Sequence, residues 1–163
     1  MNQVVVKQEK SGYQIVEAYK SLRTNLQFCG EDKKVIAVTS CTPNEGKSSV
    51  SMQLGISLAE SGKRVILIDA DLRKSVLLGR TKTQKSVRGL AHFLSGQATL
   101  EDVICSTNVK NFYMIYSGPF PPNPAELLGG KNFRSLLNAL RKVYDYVIVD
   151  TPPLGSVIDS AIV

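Results

Sequence analysis

At 163 residues, with 43% hydrophobic and 21% charged side chains, the chain has room for one ordinary globular core and carries no repeat or low-complexity tract. No apolar run reaches the roughly 18 residues of a membrane-spanning helix, and the opening MNQVVVKQEK lacks the apolar stretch of a secretory signal, so a cytoplasmic protein is expected. Cys29, Cys41 and Cys105 fit neither a disulfide framework nor a thiolate metal site, while the net charge of +6 leaves nucleic acid, an anionic membrane face and a bound polyphosphate all open.

The segment YQIVEAYKSLRTNLQF, residues 13–28, sets Ile15, Ala18, Tyr19, Leu22 and Leu26 at helical spacing, predicting an amphipathic helix with one apolar stripe and a polar opposite face. KVIAVTS follows as a short strand. SSVSMQLGISLAESG then predicts a helix with Val50, Leu54 and Leu58 at helical spacing and Gly62 as its stop. Next comes a strand, RVILID, and then a stretch from Arg73 to Arg88 with six basic residues and no acid, read as a solvated loop or as a docking surface for something anionic. Short helical pieces are expected around GLAHFL, where His92 would be partly buried, and around TLEDVI. A strand FYMIYSG, a helix NFRSLLNALRKV and a strand YVIVD complete the pattern. Continuous apolar strands alternating with helices predict an α/β domain spanning 1–163, with a mostly parallel central sheet covered on both faces.

Between the first of these strands and its helix lies TSCTPNEGKSS, residues 39–49. It meets the phosphate-loop pattern G-x-x-x-x-G-K-[ST] at Gly46, Lys47 and Ser48, with Cys41 where the first glycine belongs. Gly46 lets the backbone approach phosphates, amides at the helix start point N–H groups at them, Lys47 supplies a point charge and Ser48 can ligate Mg²⁺. Asn44, after Pro43, can enter the left-handed region and make the turn without that first glycine. The candidate cradle is therefore Pro43, Asn44, Glu45, Gly46, Lys47, Ser48 and Ser49. EGKS alone would read equally well as a polar helix start; its place between a strand and a helix argues for the loop.

Three aspartates strengthen that reading. Asp69 and Asp71 in VILIDADLR, and Asp150 in YVIVDTPP, leave the carboxyl ends of strands, where ligands of parallel sheets sit. A strand-end aspartate can hold Mg²⁺ directly or through water, and a second can accept the proton of an attacking hydroxyl; one alone would more simply cap a helix. Cys41, beside a helix start and a lysine, also admits a redox role against the commoner one of a small turn residue.

On these residues the chain resembles the P-loop bacterial tyrosine kinases of capsule and exopolysaccharide clusters. That family has a phosphate loop without its first glycine, an apolar run ending D-x-D-x-R, as in LIDADLR, a segment like VIVDTPP, and a stretch similar to GPFPPNPAELL, residues 118–128. The resemblance implies a P-loop NTPase-like three-layer sandwich and a tyrosine autokinase using ATP and Mg²⁺. Lys47 would bind the β- and γ-phosphates, Ser48 and Asp69 the metal, and Asp71 would be the base on the tyrosine hydroxyl. Asp150 would support the metal and its water; Arg73 could contact phosphate or make a structural pair.

The family's E-x-x-R-x-x-R assembly motif corresponds to Glu17, Lys20 and Arg23, where lysine keeps the charge of the middle arginine and loses its planar fork. The implied partners are a second copy of the chain, in a homo-oligomer and possibly a ring, and tyrosine-rich tails presented in trans. A transmembrane activator similar to chain-length regulators would recruit the chain to the inner membrane face, with no nucleic acid involved. The sequence ends at DSAIV, about a dozen residues after Asp150, without the later strands or a tyrosine-rich tail, so a truncated chain is expected. Two alternatives stay open. A partition- or site-selection-type ATPase is disfavoured by the lack of a lysine early in the loop; a non-catalytic, nucleotide-gated scaffold is disfavoured by the retained aspartates.

Overall fold

The computed structural model describes residues 1–7, 12–39, 47–72, 81–83 and 87–152. In chain order these form β1 (Asn2–Val6), α1 (Tyr13–Phe28), β2 (Val35–Val38), α2 (Lys47–Glu60), β3 (Val65–Asp69), β4 (Thr81–Thr83), α3 (Leu90–Leu94), α4 (Leu100–Val103), β5 (Ile104–Thr107), β6 (Phe112–Ile115), α5 (Pro124–Gly129), α6 (Lys131–Val143) and β7 (Tyr146–Asp150). The strands make one seven-stranded sheet in the order β2-β7-β3-β6-β5-β1-β4. Four of its six pairings are parallel; β5 with β6 and β4 with β1 are antiparallel.

The mostly parallel α/β sandwich expected from the sequence is thus present. β3 shows why its strands read as unbroken apolar runs. Val65 and Leu67 face a core shared with Met52, Leu54 and Leu58 of α2, whereas Ile66 and Ile68 face a second core built on Leu128 of α5 and Phe133, Leu136 and Leu140 of α6. Both faces of the strand are dry, so no position along it can be polar until its end. Strands β1, β4 and β5 are additions to the sequence reading: their segments are short and mixed in polarity, and they form because paired neighbours take up their backbone groups.

Gly62, with φ +90, sits just past α2 and closes it by donating from its N–H to the Ala59 carbonyl at 3.0 Å. Val50 is exposed while Leu54 and Leu58 are buried, so only the later turns of α2 lie on the sheet. The basic stretch 73–88 lies largely outside the described residues.

Helix α1 spans the predicted residues but not with the predicted orientation. It buries no residue completely, and Ile15, Ala18 and Leu22 of the expected stripe are exposed; Tyr19 and Leu26 turn inward together with Arg23. The reason is the surface it meets. Helix α2 already covers this part of the sheet, and its flank offers the Ser57 carbonyl and hydroxyl, to which Arg23 Nη1 donates at 3.0 and 3.4 Å. Glu17 and Lys20 form an i,i+3 ion pair at 3.2 Å on the outer surface. The assembly trio therefore does not share one open polar face, because Arg23 is spent inside its own subunit.

At the edge of the sheet where β3 and β7 begin, Arg64 ties strand starts together. Its N–H donates to Asp145 Oδ2 at 2.8 Å, and its carbonyl accepts from the N–H groups of Asp145 and Tyr146. Its guanidinium stacks over the rings of Tyr113 and Tyr144, 5.4 and 5.1 Å from their centres.

Helix α2 can lie this close to the sheet because Gly55 faces the ring of Phe112: a Cβ there would come within 2.5 Å of Phe112 Cε2. Phe112 is fully buried and cannot swing aside. Alanine is ordinarily the better helix former by about 1 kcal/mol, yet Gly55→Ala is expected to lower stability, since overpacking a dense core costs about 1–3 kcal/mol. Urea unfolding measures it, and unchanged or increased stability would contradict the contact.

Candidate active site

Three strand ends meet at one level. In register, Val38 of β2 lies opposite Asp150 of β7, and Asp150 lies opposite Asp69 of β3. Helix α2, which leads from β2 to β3, packs in the core on one face of the sheet, and α6, which leads into β7, packs in the core on the other. The winding reverses at this group of strands, the position where open α/β sheets form a ligand crevice at their carboxyl edge.

Asp150 is fully buried, and each of its carboxylate oxygens is held by the start of α2. Oδ1 takes the ammonium of Lys47 in an ion pair and also accepts from Ser51 Oγ at 3.2 Å; Oδ2 accepts from Ser48 Oγ at 2.8 Å. The side chains of the pair are only 7% and 1% exposed, so little water screens the attraction. A buried carboxylate without such partners would be strongly unfavourable, so these contacts offset the cost of its burial.

Asp69 is buried at the end of β3, and its Oδ1 accepts from the backbone N–H of Asp71 at 3.3 Å, turning the chain just after the strand. Asp71 is itself almost wholly enclosed. The Asp150 carbonyl accepts from Ala70 N–H at 2.9 Å, so the segment bearing both aspartates is fastened to the end of β7.

Of the residues singled out by sequence, Lys47, Ser48 and Asp150 are in direct contact, while Asp69 and Asp71 occupy the neighbouring strand end. Ser49 follows on the first turn of α2. Pro43, Asn44, Glu45 and Gly46, with Cys41 and Arg73, lie outside the described residues. Two residues escaped the sequence reading. Ser51 stands one helical turn after Lys47, and the only available signal was that i,i+4 spacing. Thr151 directly follows Asp150; its N–H and hydroxyl both donate to the Val38 carbonyl, at 3.1 and 2.9 Å, locking β2 to β7 below the crevice.

A divalent metal fits this chemistry. Ser48 and Asp150 offer hard oxygen donors side by side, with no thiol or imidazole among the described residues touching them, the donor set of Mg²⁺ rather than of zinc. Among the described residues no three acidic, histidine or cysteine side chains converge into a cage. That matches a metal held by one or two protein oxygens and completed by phosphates and water. A lysine and a serine opening a helix against a buried strand-end aspartate, at the carboxyl edge of a parallel sheet, define a nucleotide-binding P-loop site.

Comparison with known proteins narrows the class. Residues 33–163 match the AAA domain family model. The chain is 47% identical over 147 residues to the tyrosine-protein kinase CpsD of Streptococcus pneumoniae serotype 4, covering 90% of this chain and 65% of that protein. It is 40% identical over 148 residues to the tyrosine-protein kinase YwqD of Bacillus subtilis, covering 90% of this chain and 62% of that one. The solved kinase domain of VpsO superposes with a TM-score of 0.81 at 33% identity, covering 91% of this chain and 73% of that domain. The chain belongs to the AAA domain family, in its branch of P-loop bacterial tyrosine kinases of capsular and exopolysaccharide clusters. It spans just under two thirds of the length of CpsD and of YwqD.

Breaking one partner of a buried ion pair strands the other, so Lys47→Met and Asp150→Asn are each expected to cost about 3 kcal/mol. The double variant should lose clearly less than the sum, because neither charge is then left alone. A double-mutant cycle by chemical denaturation measures this; strict additivity would show that the two groups do not pair in solution.

Proposed function

We propose that this chain is the ATP-binding catalytic portion of a protein-tyrosine kinase that regulates capsular or exopolysaccharide synthesis and export. The observation carrying the proposal is the division of the buried Asp150 carboxylate between Lys47 and Ser48 at the head of α2. The names of the relatives support the choice of kinase over a partition-type ATPase or a silent scaffold.

In this reading Asn44, Glu45, Gly46 and Ser49 cradle the phosphates with backbone N–H groups, Pro43, which has none, shapes the start of the loop, and Lys47 leaves Asp150 for the β- and γ-phosphates of ATP. Asp150, Ser48 and Asp69 are the residues that would hold Mg²⁺, one or two of them directly and the rest through water. The metal supplies positive charge that offsets the charge developing on the transferred phosphoryl group. Asp71 accepts the proton of the incoming tyrosine hydroxyl.

Residues 1–163 act as one P-loop domain in which α1 is the assembly element. Glu17 and Lys20 face a second copy and Arg23 holds α1 in place, in a homo-oligomer that phosphorylates tyrosine-rich tails in trans. No helix among the described residues is long and apolar enough to cross a membrane. Recruitment to the inner membrane face by a transmembrane activator, resembling chain-length regulators, supplies that location.

Asp71→Asn keeps the shape of the side chain but removes its basicity. It is expected to leave affinity for ATP and Mg²⁺ within a few-fold and to lower phosphotyrosine formation by about 10²–10⁴. Lys47→Ala should abolish nucleotide binding itself. Calorimetry for binding and mass spectrometry for phosphotyrosine, with a tyrosine-rich acceptor supplied, separate the two; ATP hydrolysis without any labelled tyrosine would remove the kinase reading.

Assembly is tested apart from chemistry. Glu17→Ala with Lys20→Ala should shift the protein toward monomer in light scattering while its thermal unfolding stays put. Arg23→Ala should lower thermal stability as well, by about 1–3 kcal/mol, through loss of a charge-assisted hydrogen bond.

A further inference from the structure

The strands that carry the crevice at one end begin together at the opposite rim. There Val147 N–H donates to the Lys34 carbonyl, Asp145 N–H to the Arg64 carbonyl and Val65 N–H to the Asn111 carbonyl, each at 2.8 Å. The residues just ahead of β2, β7, β3 and β6 therefore share one level, spread over about 15 Å at the usual strand spacing.

Basic residues collect at this level. Lys33 and Lys34 precede β2, Lys63 and Arg64 precede β3, and Arg141 and Lys142 close α6, where the Arg141 carbonyl accepts from Lys34 Nζ at 3.3 Å. Farther along, β1 ends at Val6, which exchanges hydrogen bonds with Asn108 in the turn between β5 and β6. Lys7 and Lys110, both exposed, flank that contact. The acids of the described rim are Glu31, Asp32, Glu60 and Asp145. Asp32 pairs with Lys33 at 3.3 Å, and Asp145 accepts from the Arg64 N–H. Among the described residues Lys7, Lys34, Lys63, Lys110, Arg141 and Lys142 form no ion pair, so the rim carries a surplus of open positive charge.

Apolar side chains stand at its margins. Phe28, the last residue of α1, is 84% exposed, and Val143, the last of α6, is 54% exposed. Residues 29–34 turn tightly from Phe28 into β2, with Lys33 N–H on the Gly30 carbonyl and Lys34 N–H on the Asp32 carbonyl. Burial, then Asp145 and the Cys29 thiol, raise the Tyr146 hydroxyl above the ordinary tyrosine range, which agrees with α1 ending beside the start of β7. Leu26 of α1 and Leu140 of α6 belong to the two different cores, so Phe28 and Val143 lie on opposite faces of the sheet with the cations between them.

We infer that this rim docks the domain directly onto an anionic phospholipid surface. Each exposed cation brought to such a surface strengthens binding about fivefold, and an aromatic side chain at headgroup level adds apolar contact. Cations drawn from five separate segments suit a plane of headgroups, whereas a peptide needs its partners aligned along one groove. A nucleic-acid backbone offers no apolar layer for Phe28 and Val143 to enter. The crevice, at the other end of the same strands, then faces away from the bilayer and stays open. The inference adds a lipid contact to the membrane location proposed above and does not depend on phosphotransfer.

The test floats the 163-residue chain with vesicles of phosphatidylcholine alone, or with phosphatidylglycerol as roughly a third of the lipid. Binding is expected on the anionic vesicles only, and should weaken at least about tenfold as salt rises from about 0.1 to about 0.5 M. Lys110→Glu with Lys142→Glu, both at exposed positions, should lower vesicle affinity at least about a hundredfold, with thermal unfolding and ATP affinity unchanged. Phe28→Ser should lower it about fivefold. Equal binding to neutral vesicles, or binding that survives the double reversal, overturns the assignment of the rim. Capture by poly-glutamate or duplex DNA while anionic vesicles stay bare gives the rim to another macromolecule and overturns the lipid contact. Binding to none of these overturns it as well, and leaves both recruitment through an activator and the kinase reading standing.

Discussion

The carboxylate of Asp150 is the group on which the arrangement of the crevice depends. It ends a strand that is dry on both faces, so nothing in the sheet can solvate it, and its stabilising contacts come from the first turns of α2. One ammonium and two hydroxyls converge on two oxygens, which orients the helix start toward the strand end. A phosphate site needs that orientation, because amides and a helix dipole bind an anion only when they point at it. The Lys47–Asp150 pair makes the crevice cohesive, and in the proposed reading it is also the pair that the phosphates of a nucleotide separate, so part of their binding is offset by loss of an internal contact.

The layers around this point have unequal duties. Helix α2 is pressed onto the sheet by the absence of a side chain at Gly55 and serves both core and site. Helix α1 is a second storey laid against α2, fastened by Arg23 and contributing little to the core. Its outer surface leaves Ile15, Val16 and Leu22 exposed, so the fold draws on only one side of this helix.

The central strands and long helices were legible in the sequence because burial on both faces leaves a strong trace: VILID and YVIVD contain no charged residue until the carboxyl edge of the sheet. Lys47, Ser48 and the strand-end aspartates were legible for the complementary reason, being charges at places where a buried strand must stop. What was not legible depended on partners distant in sequence. β5 and β1 gain their identity from pairing with each other, and the orientation of α1 from a serine carbonyl 34 residues on from Arg23. Hydrophobic periodicity ranks the faces of a helix by apolar content. It cannot register that the available neighbour is a polar flank. Ser51 was hidden similarly, since a serine inside a helix advertises nothing until a buried carboxylate comes within reach.

The Arg64 cluster has a bearing on how such a molecule deforms. Two backbone N–H groups, one carboxylate and two aromatic rings converge on Arg64 at the sheet's lower rim. The opposite rim is fastened by other means, through the ammonium and hydroxyls gathered on Asp150 and the Thr151 contacts to Val38. The two borders of the sheet share no residue in these contacts, so a change of partner at the carboxylate leaves the cation and its two rings as they were, like a hinge whose far pin is never drawn.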